Sequence, residues 1–315
     1  MLRSLVGSEM CIRDRYKKRR VGLMKKKIFA IIMLCVMVVS CFTGCGSKSG
    51  NETPTNASGK KVLRVGMECA YAPFNWTQES ATMSDGSQAV PIYGTNYYAY
   101  GYDVMVARML ADKLDMDLEI HKVEWNSIGL SMDAGDYDCI IAGMGKTKAR
   151  EATYAFTDVY YYRSDCLVVK KGSAYENYTK LSDFKGKGVT TTTQIGTCWV
   201  DMMGQIPDAK IGANYETCAE AFMAITNGVA DVCMVDLPTA ISAQLTNPDL
   251  VILQLDSSDG LVNDTGSQNV CIATRKSDTA LKDTLNQAMK DLNWNNKDEM
   301  DKLMDKAIKL MPSSN

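Results

Sequence analysis

The first residues that could take part in chemistry lie in one segment, 63–76, which begins as a predicted strand and ends in a turn. Its carboxyl end carries Glu68 and three aromatic side chains, Tyr71, Phe74 and Trp76. In open α/β sheets, ligands bind beyond the carboxyl ends of the strands. The segment therefore predicts that a carboxylate and aromatic rings face a ligand, although the same rings could instead belong to a hydrophobic core.

A second stretch, residues 143–147, resembles the end of a phosphate-binding P-loop because it contains a Gly-Lys-Thr sequence. That loop needs a glycine five residues before its second glycine. The chain has Ile140 at that position. The P-loop is therefore absent, and we expect Lys146 to lie exposed near the mouth of a cleft.

The elements that must position these residues follow an alternating pattern after residue 61. The predicted strands are 63–67, 118–123, 138–142, 188–192, 230–235, 250–255 and 270–274. The predicted helices are 102–114, 197–203, 219–227, 238–245 and three that begin at residues 127, 278 and 297. Such alternation indicates β-α-β units around a mostly parallel sheet. The polar, Tyr-rich segment 77–100 between the first strand and the first helix is predicted to be a surface hairpin.

The charges are distributed unevenly behind a formal net charge of -2. Residues 1–44 contain ten Lys and Arg and two Asp and Glu, which leaves 25 basic and 35 acidic residues in the remainder. Binding to nucleic acid depends on neutralising phosphates with Lys and Arg. A body this negative predicts no nucleic-acid partner.

The cysteines after Cys45 do not form a recognisable framework, because they number seven and include no C-x-x-C pair. Cys139 and Cys233 lie within apolar runs, where a free thiol behaves as a small hydrophobic group. Metal binding needs clustered thiols or imidazoles, and His121 is the only histidine of the chain. We therefore expect buried thiols, no metal site and no cofactor.

The N-terminal 44 residues are predicted to be a leader. Three lysines at 25–27 precede an apolar run at 28–39 and small residues before Cys45, which is the pattern of a secretory signal. Residues 42–45 resemble a bacterial lipobox, whose cysteine carries the lipid. We expect translation to start at Met24 after a spurious extension, and residues 45–61 to form a flexible linker. The alternative is a short transmembrane anchor, for which the run is too short to span ~30 Å of hydrocarbon comfortably.

A series of different short motifs is distributed along the chain after residue 70. They are residues 71–74, 101–104, Trp125 with 134–138, 142–144 with Thr147 and Arg150, 156–161, 196–197, and 230–231 with Asp236. In order and spacing they resemble the amino-acid-binding members of the bacterial extracellular solute-binding proteins, family 3, over residues 62–310.

This resemblance implies an α/β fold of the two-lobed type II periplasmic-binding-protein kind. Each lobe would be a mostly parallel sheet flanked by helices, and two crossing strands would join the lobes. Lobe one would comprise residues 62–162 and 268–310, lobe two residues 167–263, and the crossings would lie near 162–167 and 264–270.

The resemblance also implies which side chains bind a free amino acid. Arg150 matches the carboxylate clamp, since a planar guanidinium can hold both carboxylate oxygens. Thr197 and the backbone N–H groups of the helix start beside it would be further donors, and Asp236 would bind the α-ammonium group. Trp125 and Tyr71 would enclose the ligand side chain and cover the ammonium group.

Other positions bear on which amino acid is bound. Gly143 would offer its carbonyl, and Gly145 stands where many members of the family have a second Thr donor. Glu68 aligns with an acid that faces the ligand in relatives selective for basic amino acids, whereas Gln194 would equally suit a polar amide or cystine. Trp76 completes the predicted binding residues.

The expected function is capture of a polar or basic amino acid between the lobes and its delivery to an ABC importer permease. The protein would be extracytoplasmic, monomeric and held to the membrane only by the lipid on Cys45. No catalytic residue is assigned. The alternatives are a cyclohexadienyl dehydratase-like enzyme on the same fold, in which Glu68 would be an acid or base, and a ligand-sensing domain.

Overall fold

The computed structural model describes residues 54–56, 59–263 and 266–312. The predicted extension, the predicted signal peptide, Cys45 and most of the predicted linker lie outside the described residues. Within the described ranges, no helix is long and apolar enough to cross a lipid bilayer.

The first of two large sheets has five strands. They are β1 (Val62–Met67), β6 (Asp117–Lys122), β7 (Cys139–Ile140), β8 (Tyr154–Tyr162) and β14 (Asn269–Arg275). The strand order is β6-β1-β7-β14-β8, and every strand except β14 runs in the same direction. Five of the six residues of β1 are buried, as expected for a strand that is covered on both faces.

Helices cover this sheet and were largely predicted by the apolar pattern. They are α1 (Tyr102–Lys113), α2 (Ile128–Ala134), α3 (Lys148–Thr153), α7 (Thr279–Asp291) and α8 (Lys297–Lys309). In α8, Met300, Met304 and Ala307 recur on one face and are buried, which is the amphipathic spacing of a helix that packs on a core. The Asn296 side chain caps this helix by accepting a hydrogen bond from Asp298 N at 2.9 Å.

The second large sheet repeats the arrangement. Its strands are β9 (Asp165–Lys170), β10 (Thr190–Thr192), β11 (Lys210–Ile211), β12 (Val232–Asp236) and β13 (Leu250–Leu253). The order is β11-β10-β12-β9-β13, and only β9 runs against the others. The helices of this part are α4 (Trp199–Met202), α5 (Cys218–Thr226) and α6 (Leu237–Thr246). The predicted α/β class with mostly parallel sheets is therefore confirmed.

A third, antiparallel sheet differs from the prediction. Its strands are β2 (Ala70–Tyr71), β3 (Asn75–Gln78), β4 (Val90–Pro91) and β5 (Tyr98–Tyr100), in the order β2-β3-β5-β4. The predicted hairpin is present, but it is not a free surface excursion. Val90, Ala99 and Tyr100 are buried, and the Tyr100 ring lies 5.6 Å from that of Trp76. The polar composition of the segment hid these buried apolar positions.

Two connections join the large sheets. Arg163 and Ser164 link β8 to β9, and residues 254–268 link β13 to β14. The backbone N of Arg163 donates a hydrogen bond to Gln268 O at 3.0 Å. The two connections therefore run side by side at that point.

Candidate ligand-binding site

Glu68 lies directly after β1 and joins the two large sheets. It is 5% exposed, and its carboxylate accepts a hydrogen bond at 3.0 Å from Gln194 Nε2, which follows β10 in the second sheet. Gln194 Nε2 also donates to Glu216 O at 2.8 Å, and Gln194 Oε1 accepts from the Cys218 thiol at 3.3 Å. Burial raises the pKa of Glu68 to about 7, against the opposing effect of the Gln194 hydrogen bond. The site thus holds an acid that changes charge near neutral pH.

Asp236 forms a second polar link, between the second large sheet and the antiparallel sheet. It ends β12 and caps α6, where its Oδ1 accepts a hydrogen bond from Thr239 N at 2.9 Å. Its Oδ2 accepts a short hydrogen bond from the Tyr71 hydroxyl, which belongs to β2. Asp236 is completely buried, and burial raises the pKa of its carboxyl while the charge of Arg163 acts in the opposite direction. A buried carboxylate of this kind needs a donor or a cation beside it.

Arg150, in α3, contacts both parts of the molecule. Its Nη1 donates to Gly145 O at 2.9 Å and its Nη2 to Gly196 O at 3.3 Å. The guanidinium carbon lies 5.1 Å from the centroid of the Trp125 ring, and Trp125 Nε1 donates to the same Gly196 O at 3.2 Å. Burial lowers the pKa of Arg150 to about 10, which still leaves the guanidinium charged at neutral pH.

The two predicted site glycines are required by close contacts. Gly143 has φ 59°, and a Cβ atom there would lie 2.5 Å from Tyr71 Cε1. At Gly145 a Cβ atom would lie 2.2 Å from the carbonyl oxygen of Ser267. Gly143 N donates to the Tyr160 hydroxyl at 3.0 Å. No side chain fits at position 145, so a second hydroxyl donor could not occupy it without moving the backbone.

Thr197 precedes α4 in the second sheet's half of the site. Its hydroxyl donates to Gln194 O at 2.7 Å, which occupies its only hydrogen. The side chain is half-buried. Thr197 could donate to a carboxylate only by exchanging this bond, whereas it can accept a hydrogen bond as it stands.

Most of the predicted residues surround one small cavity. Seven of them line it: Glu68, Tyr71, Trp125, Gly143, Arg150, Gln194 and Thr197. Gly145 and Asp236 each contact one of these lining residues through hydrogen bonds. The cavity measures about 10 Å³, which is room for about one water molecule. The cavity lies between two halves of the molecule, which are the first sheet with the antiparallel sheet and their helices, and the second sheet with its helices. In this arrangement the cavity is too small to admit an amino acid.

Trp76 is not brought together with the others. It lines a different, mainly apolar groove of about 370 Å³, together with Phe222, Met311 and Tyr71, which lines both spaces. Its Nε1 donates to Gln78 Oε1 at 3.2 Å. In β3, Trp76 pairs with Ala70 rather than Tyr71, and of these two aromatic residues only Tyr71 also lines the polar cavity.

Sequence reasoning missed Arg163, which lines the same cavity as Arg150 and is 7% exposed. The available signal was a single arginine between the Tyr-rich strand β8 and the apolar run of β9.

In the part of the chain that the structure describes, no group of three His, Cys, Asp or Glu side chains is placed to hold a metal ion.

Comparison with known proteins identifies the family of the chain. The model of the bacterial extracellular solute-binding proteins, family 3, matches residues 63–309. The arginine-binding extracellular protein ArtP of Bacillus subtilis (strain 168) is 28% identical over 287 residues, which cover 90% of this chain and 98% of that protein. The L-cystine-binding protein TcyA of the same strain is 25% identical, covering 85% of this chain and 92% of that protein.

A solved structure shows the same fold. The arginine-bound truncated form of ArgBP from T. maritima matches with a TM-score of 0.58 at 27% identity, covering 73% of this chain and 96% of that chain. The two five-stranded sheets, the double connection and the cavity between them are thus a type II periplasmic-binding arrangement. The chain belongs to the bacterial extracellular solute-binding proteins, family 3.

Proposed function

We propose that the protein captures one free amino acid between its two halves and delivers it, unchanged, to an ABC importer permease. The observation that carries the proposal is the pair of opposite charges at one cavity, Arg150 on its lining and Asp236 directly behind Tyr71. A zwitterion presents one carboxylate and one ammonium group, both costly to bury unless each is paired. The site supplies one partner of each sign, the fully buried Asp236 and the half-buried Arg150.

The groups of the ligand can be assigned to side chains on this basis. The carboxylate would bind Arg150, with Thr197 and the nearby backbone as further contacts. The ammonium group would bind Asp236 in place of the Tyr71 hydroxyl, and the Gly143 carbonyl would help. Trp125 would cover the ligand, since its ring already lies against a guanidinium.

Binding would proceed by closure of two lobes. We assign residues 62–162 and 268–310 to one lobe and residues 167–263 to the other, with crossings near 162–167 and 264–270. The size of the cavity supports this motion, because about 10 Å³ admits no amino acid in the closed arrangement.

The ligand is proposed to be a polar or basic amino acid. Glu68 supplies a negative charge for a basic side chain, and Gln194 supplies an amide for a polar one. Relatives named for binding arginine and L-cystine are consistent with this range. We further propose a monomer that is exported and tethered by a lipid on Cys45.

A thermal-shift screen of the common amino acids tests the function. A ligand at a hundred times its Kd stabilises the folded state by ~2.7 kcal/mol, or ~5–10 °C for a domain of this size. Calorimetry on the best ligand, followed by mass spectrometry of what is recovered, then separates binding from catalysis. No shift with any amino acid would refute the proposal, and a chemically altered ligand would favour the dehydratase-like alternative.

A further inference from the structure

Arg163 occupies an unusual place, because it belongs to the connection between the sheets and yet its side chain reaches the cavity. Its backbone N bonds to the second connection through Gln268 O. Its side chain is only 5% exposed and lines the cavity beside Arg150. A change in the angle between the two halves would therefore act directly on this residue.

The two arginines make parallel bridges across the cavity. Arg150 donates to Gly145 O on one side and to Gly196 O on the other, at 2.9 and 3.3 Å. Arg163 donates to Gly143 O at 3.0 Å and contacts Cys198 Sγ at 3.7 Å. The partners on each side are two residues apart in the chain. The two guanidinium groups thus span the same two loops, 143–145 and 196–198, next to each other.

The charges of this pair are incompletely compensated. Among the residues that the structure describes, the contacts of the Arg150 guanidinium are two carbonyl oxygens and the Trp125 ring, without a carboxylate. The charge of Arg163 adds to the effect of burial in lowering the pKa of Arg150. Two cations side by side, Arg163 buried and Arg150 half-buried, repel each other unless an anion lies between them.

In the described part of the chain, Arg163 itself has one ion-pair partner within 4 Å, Asp165, and the charge of Asp236 also acts on it. Its Nε lies 3.9 Å from Asp165 Oδ1, and that oxygen already accepts a hydrogen bond from Trp199 Nε1 at 2.8 Å. Within the described ranges, the buried Arg163 Nε has no hydrogen-bond acceptor. The face of Arg163 also packs on the Trp199 ring, 5.0 Å from its centroid. A planar group with an unused donor is thus held rigidly in the cavity wall.

We propose that Arg163 is a second guanidinium of the carboxylate site, so that the carboxylate of the bound amino acid lies between Arg150 and Arg163. This rests on the proposed function and adds a specificity-determining residue to it. A carboxylate can accept bonds from two guanidinium groups at once, because its two oxygens offer about four acceptor positions. The ammonium group of the same ligand would neutralise Asp236.

The consequence is that ligand binding reaches the connection between the lobes directly. A carboxylate held by Arg163 would tie loop 143–145, loop 196–198 and the crossing segment together in the closed state. Selectivity should follow: molecules with the same side chain and ammonium group but no carboxylate should bind poorly.

The alternative is that Arg163 only stabilises the fold, through Asp165 and Trp199. The two roles are separated by measuring L-arginine and L-argininamide, which lacks the carboxylate charge, on wild type, Arg163→Met and Arg163→Lys. L-glutamine and L-glutaminamide replace them if L-glutamine gives the larger thermal shift. Arg275→Met is the matched control, because Arg275 also donates to two carbonyl oxygens, those of Met132 and Tyr137, and does not line the cavity.

We expect Arg163→Met to weaken L-arginine binding by about 30-fold or more, the usual cost of unpairing a buried charge, and to change L-argininamide binding much less. Arg163→Lys should give an intermediate loss, and Arg275→Met should leave both Kd values within about twofold while lowering Tm. Equal weakening of both compounds by Arg163→Met, or no weakening of either, would overturn the inference.

A measurement on the wild type guards against variants that do not fold. In protein labelled with ¹⁵N-arginine, the Arg163 Nε–H resonance should shift when unlabelled L-arginine is added and shift less with L-argininamide. An unmoved resonance on saturation with L-arginine contradicts the contact even though the proposed function stands. If no amino acid binds the wild type at all, the proposed function falls and this inference falls with it.

Discussion

Two fully buried carboxyl groups, Asp103 and Asp236, differ in where their side-chain hydrogen-bond donors come from. Asp103 accepts hydrogen bonds from Asn75 Nδ2 at 2.8 Å and from the Tyr160 hydroxyl at 2.7 Å, and both partners lie in its own half of the molecule. Asp236 accepts one from the Tyr71 hydroxyl, which comes from the other half. Under the proposed lobe motion, separation of the halves would break the bond from Tyr71 to Asp236 and leave those to Asp103 intact.

The two carboxyl groups are equally buried but have different surroundings. Burial raises the pKa of Asp103 to about 7 and also raises that of Asp236. The Asp103 partners support the cavity wall, since the Tyr160 hydroxyl also accepts a bond from Gly143 N. In the proposed function, a ligand ammonium group takes the place of the Tyr71 hydroxyl beside Asp236. On that proposal one acid fixes the shape of the site, and the other would recognise the ligand.

The largest effect on affinity is expected for Asp236→Asn. Asn keeps the helix-capping acceptor but leaves the ligand ammonium group without a buried counter-charge, at a cost of ~2–5 kcal/mol in binding. Calorimetry with the best amino acid from the screen measures this loss. Urea denaturation of the unliganded protein is the control and should change by less than ~1 kcal/mol. An affinity within about threefold of wild type would contradict the assignment of Asp236.

The complementary change, Asp103→Ala, should mainly affect stability. It leaves the buried donors Asn75 Nδ2 and Tyr160 Oη without their acceptor, which costs ~2–3 kcal/mol of unfolding free energy. Urea denaturation checks this value. Binding should weaken less, because the Gly143 loop shifts without losing a ligand contact. If Asp103→Ala reduced the binding free energy by more than it reduced the unfolding free energy, the proposal that Asp103 supports the cavity wall while Asp236 binds the ligand would be wrong.

Much of this comparison could be approached from the sequence. The apolar periodicity predicted α1 within one residue at its end and placed β1, β12 and β14 correctly to within two residues. The end of a strand is a position that sequence can locate, and Glu68 and Asp236 both stand at such ends.

What the sequence could not predict is which partner each group finds. Tyr71 and Trp76 are equivalent as sequence, two aromatic residues after the same strand, but only Tyr71 reaches the polar cavity, where its hydroxyl bonds to Asp236. Arg163 reads as an ordinary charged residue between strands, and only the packing of the two connections turns its side chain into the cavity. Contacts between segments distant in the chain carry this information.

A smaller, pH-dependent effect is expected from Glu68. Its pKa of about 7 in the folded protein exceeds the ordinary value of 4.5, so the folded state holds the proton more tightly than the unfolded chain does. Between about pH 4.5 and 7 the unfolding free energy should therefore fall as pH rises, and level off above. The charges acting on Glu68 are those of Glu216, Lys122 and Glu220.

The same proton opposes a cationic ligand. If L-arginine is bound, its affinity should be about 30-fold weaker at pH 5.5 than at pH 8, because Glu68 must lose its proton. Calorimetry across this range measures the trend, and Glu68→Gln should flatten it. Asp103 titrates in the same pH window. If the pH dependence of affinity persisted in Glu68→Gln and disappeared in Asp103→Asn, Asp103 and not Glu68 would be its cause.

The smallest effects separate the two tryptophans, which sequence alone would treat alike. Trp125 lies against the Arg150 guanidinium at the cavity, so Trp125→Leu should cost ~0.5–1 kcal/mol of binding, a two- to fivefold weaker Kd. Trp76 faces the apolar groove instead, and Trp76→Leu should change Kd by less than about twofold while reducing stability through lost packing on Tyr100. Calorimetry and denaturation on the matched pair test this. A stronger loss of affinity in Trp76→Leu than in Trp125→Leu would show that the groove, and not the polar cavity, contacts the amino acid.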